Sequence, residues 1–146
     1  MQYTISKAEV SDFTDMHKMI IEFAHFQRTP EKATITVAQM EEDADFLKAL
    51  IVKQDKIAIG YATYYIGYSC WSGRHLYLDD LYLEEEHRNQ GLGHQIMDRL
   101  EFIAQEEKCK SMRWLVSKWN QNAIAFYKKR GASIDNTEFT CQVRID

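Results

Sequence analysis

A glycine-containing turn between a predicted strand and a predicted helix is the feature that most constrains the fold of this chain. The turn runs from Arg88 to Gly93 (Arg-Asn-Gln-Gly-Leu-Gly), after the apolar, β-rich stretch His75 to Leu83 and before a helical pattern from His94 to Glu107. Glycines let the backbone approach a ligand closely, and the first turn of a helix offers unpaired N–H groups and a positive dipole end. Arg88 adds a permanent cation. The run therefore predicts a site for a phosphate-bearing cofactor.

The size and composition of the chain are those of a single soluble domain. Its 146 residues are 45% hydrophobic and 27% charged, which is ordinary for a globular protein with one core. The net charge of −4 argues against a dedicated nucleic-acid binder, which normally carries a basic surplus. The N-terminus lacks an apolar signal region and no run of about eighteen apolar residues is present, so we expect no membrane association. We expect one domain over residues 1–146.

The cysteines and histidines predict no metal site. Cys70, Cys109 and Cys141 are scattered and form no Cys-x-x-Cys pair, so buried or inert thiols are favoured over a disulfide framework, a zinc site or a catalytic thiol. The histidines show no metal-ligand spacing either. A reducing cytoplasm is the simplest location for such a chain.

Hydrophobic periodicity predicts regular elements in the order β-α-α-β-β-β-α-β-α-β. The predicted strands are Tyr3 to Lys7, Leu50 to Val52, Ile57 to Tyr68, His75 to Leu83, Met112 to Val116 and Phe139 to Ile145. The first predicted helix is capped by Ser11 or Asp12, and the others are Val37 to about Lys48, His94 to Glu107, and Asn120 to Arg130, ended by Gly131.

This order predicts a mixed α/β (α+β) fold. Consecutive central strands favour antiparallel hairpins, and the strand–helix–strand passage from Leu76 to Val116 favours a right-handed parallel crossover. The result is a mostly antiparallel sheet with one parallel pair and helices on both faces. It is not a repeated βαβ arrangement, which argues against a dinucleotide at the Arg88 to Gly93 turn.

Two ordered motifs resemble the GNAT superfamily of N-acetyltransferases. Arg88 to Gly93 is similar to the pyrophosphate-binding pattern Arg/Gln-x-x-Gly-x-Gly/Ala, and Asn120 to Ala132 is similar to the second signature, Asn-x-x-(Ala/Ser)-x-x-Phe-Tyr-x-x-x-Gly. Trp71 to Gly73 and Tyr77 to Asp80 further resemble the diamine (spermidine/spermine) and thialysine branch, which carries Tyr-Leu-Glu-Asp where this chain has Tyr-Leu-Asp-Asp.

The resemblance implies the GNAT fold and acetyl-CoA as co-substrate, with its pyrophosphate held by backbone N–H groups from Gln90 to His94 and by Arg88. In the family, the strand before this turn bulges, and pantetheine pairs with its exposed edge, at the positions Leu81 to Leu83 here. A backbone N–H there would face the acetyl oxygen. The implied cofactor-binding residues are Leu81, Tyr82, Leu83, Arg88, Asn89, Gln90, Gly91, Leu92, Gly93, His94, Asn120, Asn122, Ala123, Tyr127 and Lys129.

Tyr127 and Asp79 are the candidate catalytic residues. Tyr127 matches the Phe-Tyr tyrosine of the second signature, and a hydroxyl with a pKa near 10 can donate to a developing thiolate; the alternative is a core aromatic beside Phe126. Asp79 matches the acid that the resembling enzymes place near the substrate amine, and the alternative is a paired or capping carboxylate. Because Asp79 and Asp80 are adjacent on a strand, they should point to opposite faces. Asn120 can combine a CoA contact with capping of its helix.

The resemblance implies that the acceptor is a primary amine of a small molecule, attacked directly in a ternary complex. The candidate substrate-binding residues are Phe26, Gln27, Trp71, Asp79, Asp80, Trp114 and Glu138. Polyamine-acetylating relatives carry acids where this chain has Gln27 and Lys118, which weakens the Coulomb attraction for a polyamine. A diamine or a lysine-like amine such as thialysine is therefore as plausible as spermidine.

Two other functions are compatible with the sequence. One is protein N-acetylation at a terminus or a lysine, which needs an open groove. The other is a CoA-binding sensor without turnover, which would be expected to lack Tyr127 or the acidic strand residues. The resembling branch also implies a homodimer.

Overall fold

The computed structural model describes residues 2–145, and its sheet has five strands in the order β1-β2-β3-β4-β5. The elements are β1 (Tyr3–Lys7), α1 (Phe13–Phe26), α2 (Val37–Glu42), β2 (Lys48–Gln54), β3 (Ile57–Ser69), β4 (Gly73–Leu83), α3 (Leu92–Glu106), β5 (Ser111–Arg113) and α4 (Gln121–Lys129). The chain divides into two compact units. The first, Met1–Leu115, contains the whole sheet, and the second, Val116–Asp146, contains α4. Within the described range, no helix combines the length and the apolar character needed to span a membrane.

The sheet is mixed, as the element order predicts. β1, β2, β3 and β4 pair successively in antiparallel fashion. β4 pairs with β5 in parallel, over His75 to Tyr77 against Ser111 to Arg113. Both the predicted antiparallel hairpins and the predicted parallel pair after α3 are therefore confirmed.

Alternation along the strands builds two apolar faces. Ala49, Ile51, Tyr61 and Tyr82 pack with residues of α1 and α2, and we call this side of the sheet the α1 face. Leu50 and Val52 alternate with them, so they lie on the opposite side, which we call the α3 face. Helical spacing places the buried residues of α3 on one stripe: Leu92, Ile96, Met97, Leu100 and Ala104. The predicted helices on both faces are confirmed.

One predicted helix and one predicted strand are shorter in the structure than the sequence pattern predicts. The helix predicted from Val37 to Lys48 ends at Glu42, because Lys48 already pairs with Tyr64 in the sheet. The strand predicted from Met112 to Val116 is reduced to β5, which ends at Arg113.

The closing strand predicted from Phe139 to Ile145 is wrong. Its apolar and polar residues alternate, but the segment has no regular secondary structure and Phe139 is 91% exposed. A strand exists only through hydrogen bonds to a neighbour, and none of the strands between residues 2 and 145 pairs with this segment.

Candidate active site

The glycine turn has the backbone geometry of an anion-binding helix start. Gly91 is the N-cap of α3 with φ of +83°, in the left-handed region that favours glycine, and Asn89 before it has φ of +62°. No side chain caps the helix, so its first-turn N–H groups face outward without acceptors from within the helix. A Cβ built on Gly91 meets no heavy atom within 4 Å, which leaves open space in front of the turn. The turn therefore fits a phosphate group.

Arg88 ties the turn to the sheet. Its Nε donates to the Leu83 carbonyl oxygen at 2.8 Å. Its guanidinium carbon lies 4.9 Å from the ring centroid of Phe26 and 5.6 Å from that of Tyr82. Arg88 thus joins the end of α1, the end of β4 and the turn, an anchoring contact that its predicted place beside a pyrophosphate did not include.

Gln90 adds a second brace to the same turn. Its side-chain amide donates to the Glu86 carbonyl oxygen at 3.1 Å, and its Oε1 accepts from the Tyr3 hydroxyl at 3.0 Å. Nearby, Glu84, Glu86 and His87 place one possible ligand atom each within 4.8 Å of one another, a juxtaposition that sequence spacing did not predict. Partly exposed acidic groups of this kind are common without a metal ion.

The edge of β4 is open after Tyr77. β5 pairs only with His75 to Tyr77, so the part of β4 from Leu78 to Leu83 has no strand partner on that side among residues 2–145. This open edge contains the predicted Leu81 to Leu83 segment.

β4 does bulge, but at Asp79. Thr63 of β3 pairs with Asp80, and the next residue, Tyr64, pairs with Leu78, so Asp79 is an extra residue in β4. The bulge changes which face the following residues occupy. Leu78 lies opposite Tyr64, whereas Asp80 lies opposite Thr63 on the α1 face.

The expectation that Asp79 and Asp80 point to opposite faces assumes a regular ladder, which β4 does not have at this position. The charge of Asp79 contributes to raised pKa values of Tyr61, Tyr77 and Asp80, which are all on the α1 face. The alternation rule fails because it assumes one residue per step of the ladder, and the bulge inserts one more. Asp80 lies on the α1 face, and Asp79 is the unpaired residue of the bulge beside it.

Asp80 is the more constrained of the two carboxylates. Its Oδ2 accepts from the Tyr61 hydroxyl at 3.1 Å, and its backbone N–H donates to Thr63 Oγ1 at 3.1 Å. Burial, and then the charge of Asp79, raise the pKa of Asp80 to about 6, while the Tyr61 hydrogen bond opposes the rise. Asp79 is more exposed, and partial loss of hydration raises the pKa of its carboxyl. A carboxyl group that titrates near neutrality is suited to proton transfer.

Two tyrosines extend this polar group toward α1. Tyr61 is fully buried, and burial, followed by Asp80, holds its pKa far above the ordinary value. The Tyr82 hydroxyl donates to Glu22 Oε2 at 3.2 Å; burial and then the Glu22 charge raise the pKa of Tyr82 to about 12. The ring centroids of Tyr61 and Tyr82 lie 6.0 Å apart. Sequence reasoning missed Tyr61, and the only signal was a tyrosine at a core position, where a buried hydroxyl requires an acceptor.

The predicted acceptor-side residues other than Glu138 are dispersed over the first unit. Phe26 ends α1 beneath Arg88, and Gln27 is the C-cap of that helix. Trp71 is 99% exposed in the turn between β3 and β4, at the opposite end of the hairpin from Leu83, and Trp114 is half-buried just after β5. Phe26 contacts Arg88, another predicted site residue.

An aromatic pair that sequence reasoning did not assign lies on the carboxylate side of the sheet. Tyr65 and Tyr77 are cross-strand partners, and their rings stack with centroids 4.9 Å apart. The Asp79 charge raises the pKa of Tyr77, after burial and Tyr65, so this pair adjoins the bulge.

The second unit holds the remaining predicted residues on or near α4. Asn120 Oδ1 accepts from the Ala123 N–H at 3.1 Å, which confirms its capping role, and Gly131, with φ of +90°, follows the helix as predicted. Tyr127 is half-buried in α4, and burial raises the pKa of its hydroxyl above the ordinary value. Asn122 and Lys129 are exposed on α4, and Glu138 is exposed beyond it, outside regular structure.

The sequence of this chain is similar to those of known acetyltransferases. The acetyltransferase (GNAT) family profile matches residues 13–132. Thialysine N-epsilon-acetyltransferase of Mus musculus is 32% identical over 146 residues, covering 92% of this chain and 85% of the relative. Spermidine/spermine N(1)-acetyltransferase-like protein 1 of Homo sapiens is 30% identical over 141 residues, covering 89% of this chain and 20% of that protein.

The fold is also that of solved acetyltransferases. An aminoglycoside N-acetyltransferase in complex with CoA has a TM-score of 0.79 at 18% identity, covering 99% of this chain and 96% of that one. The family match takes in the glycine turn, the carboxylate bulge and α4. The chain therefore belongs to the GNAT family of acetyltransferases.

Proposed function

We propose that this protein is an acetyl-CoA-dependent N-acetyltransferase for a primary amine of a small molecule: a polyamine, a diamine or a lysine-like amine such as thialysine. The amine attacks the donor directly in a ternary complex. The observation that carries the proposal is the β4 bulge, which sets the exposed Asp79 beside the more buried Asp80 in the strand that leads to the glycine turn. The names of the relatives support the same substrate class.

The first unit is suited to hold the donor. When bound, acetyl-CoA supplies the acetyl group as an activated thioester. The N–H groups of Leu92, Gly93 and His94 would hold its pyrophosphate at the open space before Gly91, with Arg88 adding positive charge. The open β4 edge at Leu81 to Leu83 would pair with the extended pantetheine arm and direct an N–H toward the acetyl oxygen. In the second unit, Asn120, Asn122, Ala123 and Lys129 are the proposed further contacts.

The carboxylates would prepare the acceptor. An alkylammonium ion has no lone pair, so it must lose a proton before its nitrogen can form the new C–N bond. The exposed Asp79 would pair with the ammonium, and the proton would pass through water to the Asp79–Asp80 pair, leaving a neutral amine. The charge of Asp79 raises the pKa of Asp80, so the ionisation of Asp80 depends on its neighbour.

Tyr127 would complete the transfer. As the nitrogen bonds to the acetyl carbon, the C–S bond breaks and the sulfur gains a pair of electrons. A hydroxyl with a raised pKa is neutral at working pH, so Tyr127 can donate its proton to that sulfur and can regain one from solvent.

The acceptor is expected to be small and cationic. The Tyr65–Tyr77 stack beside the bulge offers aromatic surface for an aliphatic amine chain, as does the exposed Trp71. Gln27 and Lys118 stand where the polyamine-acetylating relatives carry acids, which weakens the attraction for a polyamine and makes thialysine, a lysine-like amine or a short diamine as plausible as spermidine.

CoA release on a panel of amines tests the function. The panel contains spermidine, a short diamine, thialysine, lysine and a peptide, and acetylated products are identified by mass spectrometry. A thiol dye is avoided because Cys70 and Cys141 are exposed. We expect turnover on a small amine. Turnover on the peptide alone would favour a protein acetyltransferase, and tight acetyl-CoA binding without any turnover would favour a sensor.

We also propose that residues 1–146 act as one acetyltransferase domain and that the protein is a homodimer. The family match covers parts of both compact units, which supports a joint role. The dimer proposal follows from the resemblance to the diamine and thialysine branch, and sedimentation equilibrium of the purified protein tests it.

A further inference from the structure

The fully buried hydroxyl of Tyr61 donates a hydrogen bond to one carboxylate, that of Asp80. The Tyr61 side chain is 0% exposed, between the β-sheet and α1, and its hydroxyl donates to Asp80 Oδ2 at 3.1 Å. A phenylalanine of nearly the same shape would fill this core position without burying a polar group. The hydroxyl is therefore best explained by what it does for Asp80.

Asp80 is held from β3 at two atoms. Thr63 Oγ1 accepts its backbone N–H at 3.1 Å where the ladder is interrupted by the bulge, and Tyr61 holds its side chain. Both contacts come from the strand that faces Asp80 directly, so the direction of the carboxylate is set by a rigid element. Asp79, the extra residue of the bulge, is the more exposed group.

We propose, on the basis of the function proposed above, that Tyr61 is a positioning residue for the acceptor step: its hydroxyl keeps Asp80 ionised and fixed beside Asp79, so that the pair can attract the substrate ammonium and take up its proton.

The local electrostatics require such a donor. Burial and the Asp79 charge both oppose ionisation of Asp80 and bring its pKa to about 6, and the Tyr61 hydrogen bond is the contact that lowers it. The pKa of Tyr61 is raised far above the ordinary value, so it remains a donor at every working pH. The ionisable groups around Asp80 on the described strands and α1 include Asp79, Tyr77 and Tyr82 of β4, Tyr61 and Tyr65 of β3, Glu22 of α1, and Arg88 over Tyr82.

The test compares Tyr61→Phe with Tyr64→Phe. Tyr64 is also buried in β3 but lies on the α3 face, the opposite side of the sheet from Asp80. The measurement is kcat/KM for the best amine as a function of pH. In Tyr61→Phe, the acidic limb of the pH profile of kcat/KM should move to higher pH by about one unit. The reason is that the variant loses the hydrogen bond that favours the ionised form of Asp80. Tyr64→Phe should leave the limb in place.

A second measurement does not depend on turnover. The chemical shift of the Asp80 carboxyl carbon is followed by NMR as a function of pH in the wild type and in Tyr61→Phe. The pH at the midpoint of this titration should be higher in the variant. In the wild type, the Tyr61 Cζ resonance should shift with pH and have the same midpoint as Asp80. In Asp80→Asn this shift should be absent. This comparison tests the inference even if Tyr61→Phe fails to fold.

The outcomes separate this inference from the proposed function. An unchanged Asp80 midpoint in folded Tyr61→Phe, or a Tyr61 resonance that does not follow Asp80, overturns the positioning role. A folded Tyr61→Phe with reduced thermal stability and an unmoved acidic limb also overturns it. If the NMR shifts appear but no amine is acetylated by the wild type, it is the proposed function that fails.

Discussion

Arg88 Nε and the Leu83 carbonyl oxygen are joined by a 2.8 Å hydrogen bond that spans the connection between β4 and the glycine turn. The same guanidinium lies over Phe26 and Tyr82, so three elements meet at one side chain. The turn that is proposed to hold the pyrophosphate is therefore positioned by an arginine of the same motif. Charge and anchoring can be separated experimentally because a lysine keeps the positive charge but lacks the Nε–H group that donates to Leu83.

Arg88→Ala should lower the free energy of unfolding by about 1–2 kcal/mol, through loss of one hydrogen bond and two cation–π contacts, and should raise the KM for acetyl-CoA. Arg88→Lys keeps the charge but lacks the planar fork. If anchoring dominates, Lys will resemble Ala in both thermal unfolding and KM. A lysine variant with wild-type KM would show that charge alone matters.

Gly91→Ala should weaken acetyl-CoA binding and reduce stability by about 1 kcal/mol, because alanine is strained at a φ of +83°. Gly91→Asn is the matched control, since asparagine tolerates the left-handed region and its Cβ meets no heavy atom within 4 Å. Asn should restore thermal stability yet still obstruct the ligand. Isothermal titration with acetyl-CoA measures this; wild-type affinity in both variants would remove the turn from the donor site.

Asp80→Asn should be more stable than the wild type at neutral pH. The folded pKa of Asp80, raised by burial to about 6 from 3.8, means that the folded state retains a proton which the unfolded state has lost between these values. The wild-type free energy of unfolding therefore receives a contribution that falls as pH rises through this window. The difference between variant and wild type should grow by up to about 3 kcal/mol from about pH 4 to pH 7 in urea titrations.

Asp12→Asn provides a control of opposite sign. Burial alone would raise the pKa of Asp12, but the Glu9 N–H at 2.8 Å and Lys53 Nζ at 2.9 Å outweigh it, and the pKa is lowered. Its stabilising contribution is present above 3.8 and is lost as pH falls through the lower folded value. A gap between Asp80→Asn and wild type that stays constant with pH would contradict the assignment to Asp80.

Asn120→Ala should destabilise α4 by about 1 kcal/mol, because the Ala123 N–H loses its acceptor. Asn120→Ser keeps a capping oxygen and should unfold near the wild-type temperature. If Asn120 also contacts CoA, both variants will show a raised KM for acetyl-CoA. A serine variant with normal KM would assign Asn120 to capping alone.

Tyr127→Phe should lower kcat by roughly 100-fold or more, the usual range for loss of a general acid, and should leave the KM for acetyl-CoA nearly unchanged. The ring stays in place, so its packing beside Phe126, at 5.4 Å between centroids, is retained. Tyr64→Phe, which also removes a buried hydroxyl, is the control and should keep wild-type kcat. Full turnover in Tyr127→Phe would show that another group protonates the thiolate.

Local patterns predicted most of the fold. Gly91 and Gly131 marked the start of α3 and the end of α4, because positive φ is a property of one residue and its neighbours. The helix predicted from His94, which begins at Leu92 in the structure, and the parallel pairing of β4 with β5 also followed from periodicity and element order.

Predictions that needed a distant partner were less secure. The segment from Phe139 to Ile145 alternates like a strand and forms none within residues 2–145, whereas Lys48 was assigned to a helix and joins β2. In both cases the pairing of the backbone with a remote strand, which no local pattern contains, determines the result.

The sequence by itself determined the family, the glycine turn and the presence of two adjacent carboxylates. Tertiary structure alone decided that Asp79 occupies a bulge, that Asp80 meets Tyr61, and that Arg88 is tied to Leu83. The register between β3 and β4 sets the first two, since one inserted residue changes which side of the sheet every following side chain occupies. A motif specifies which groups are present, and the pairing of strands distant in sequence specifies which of them share a face.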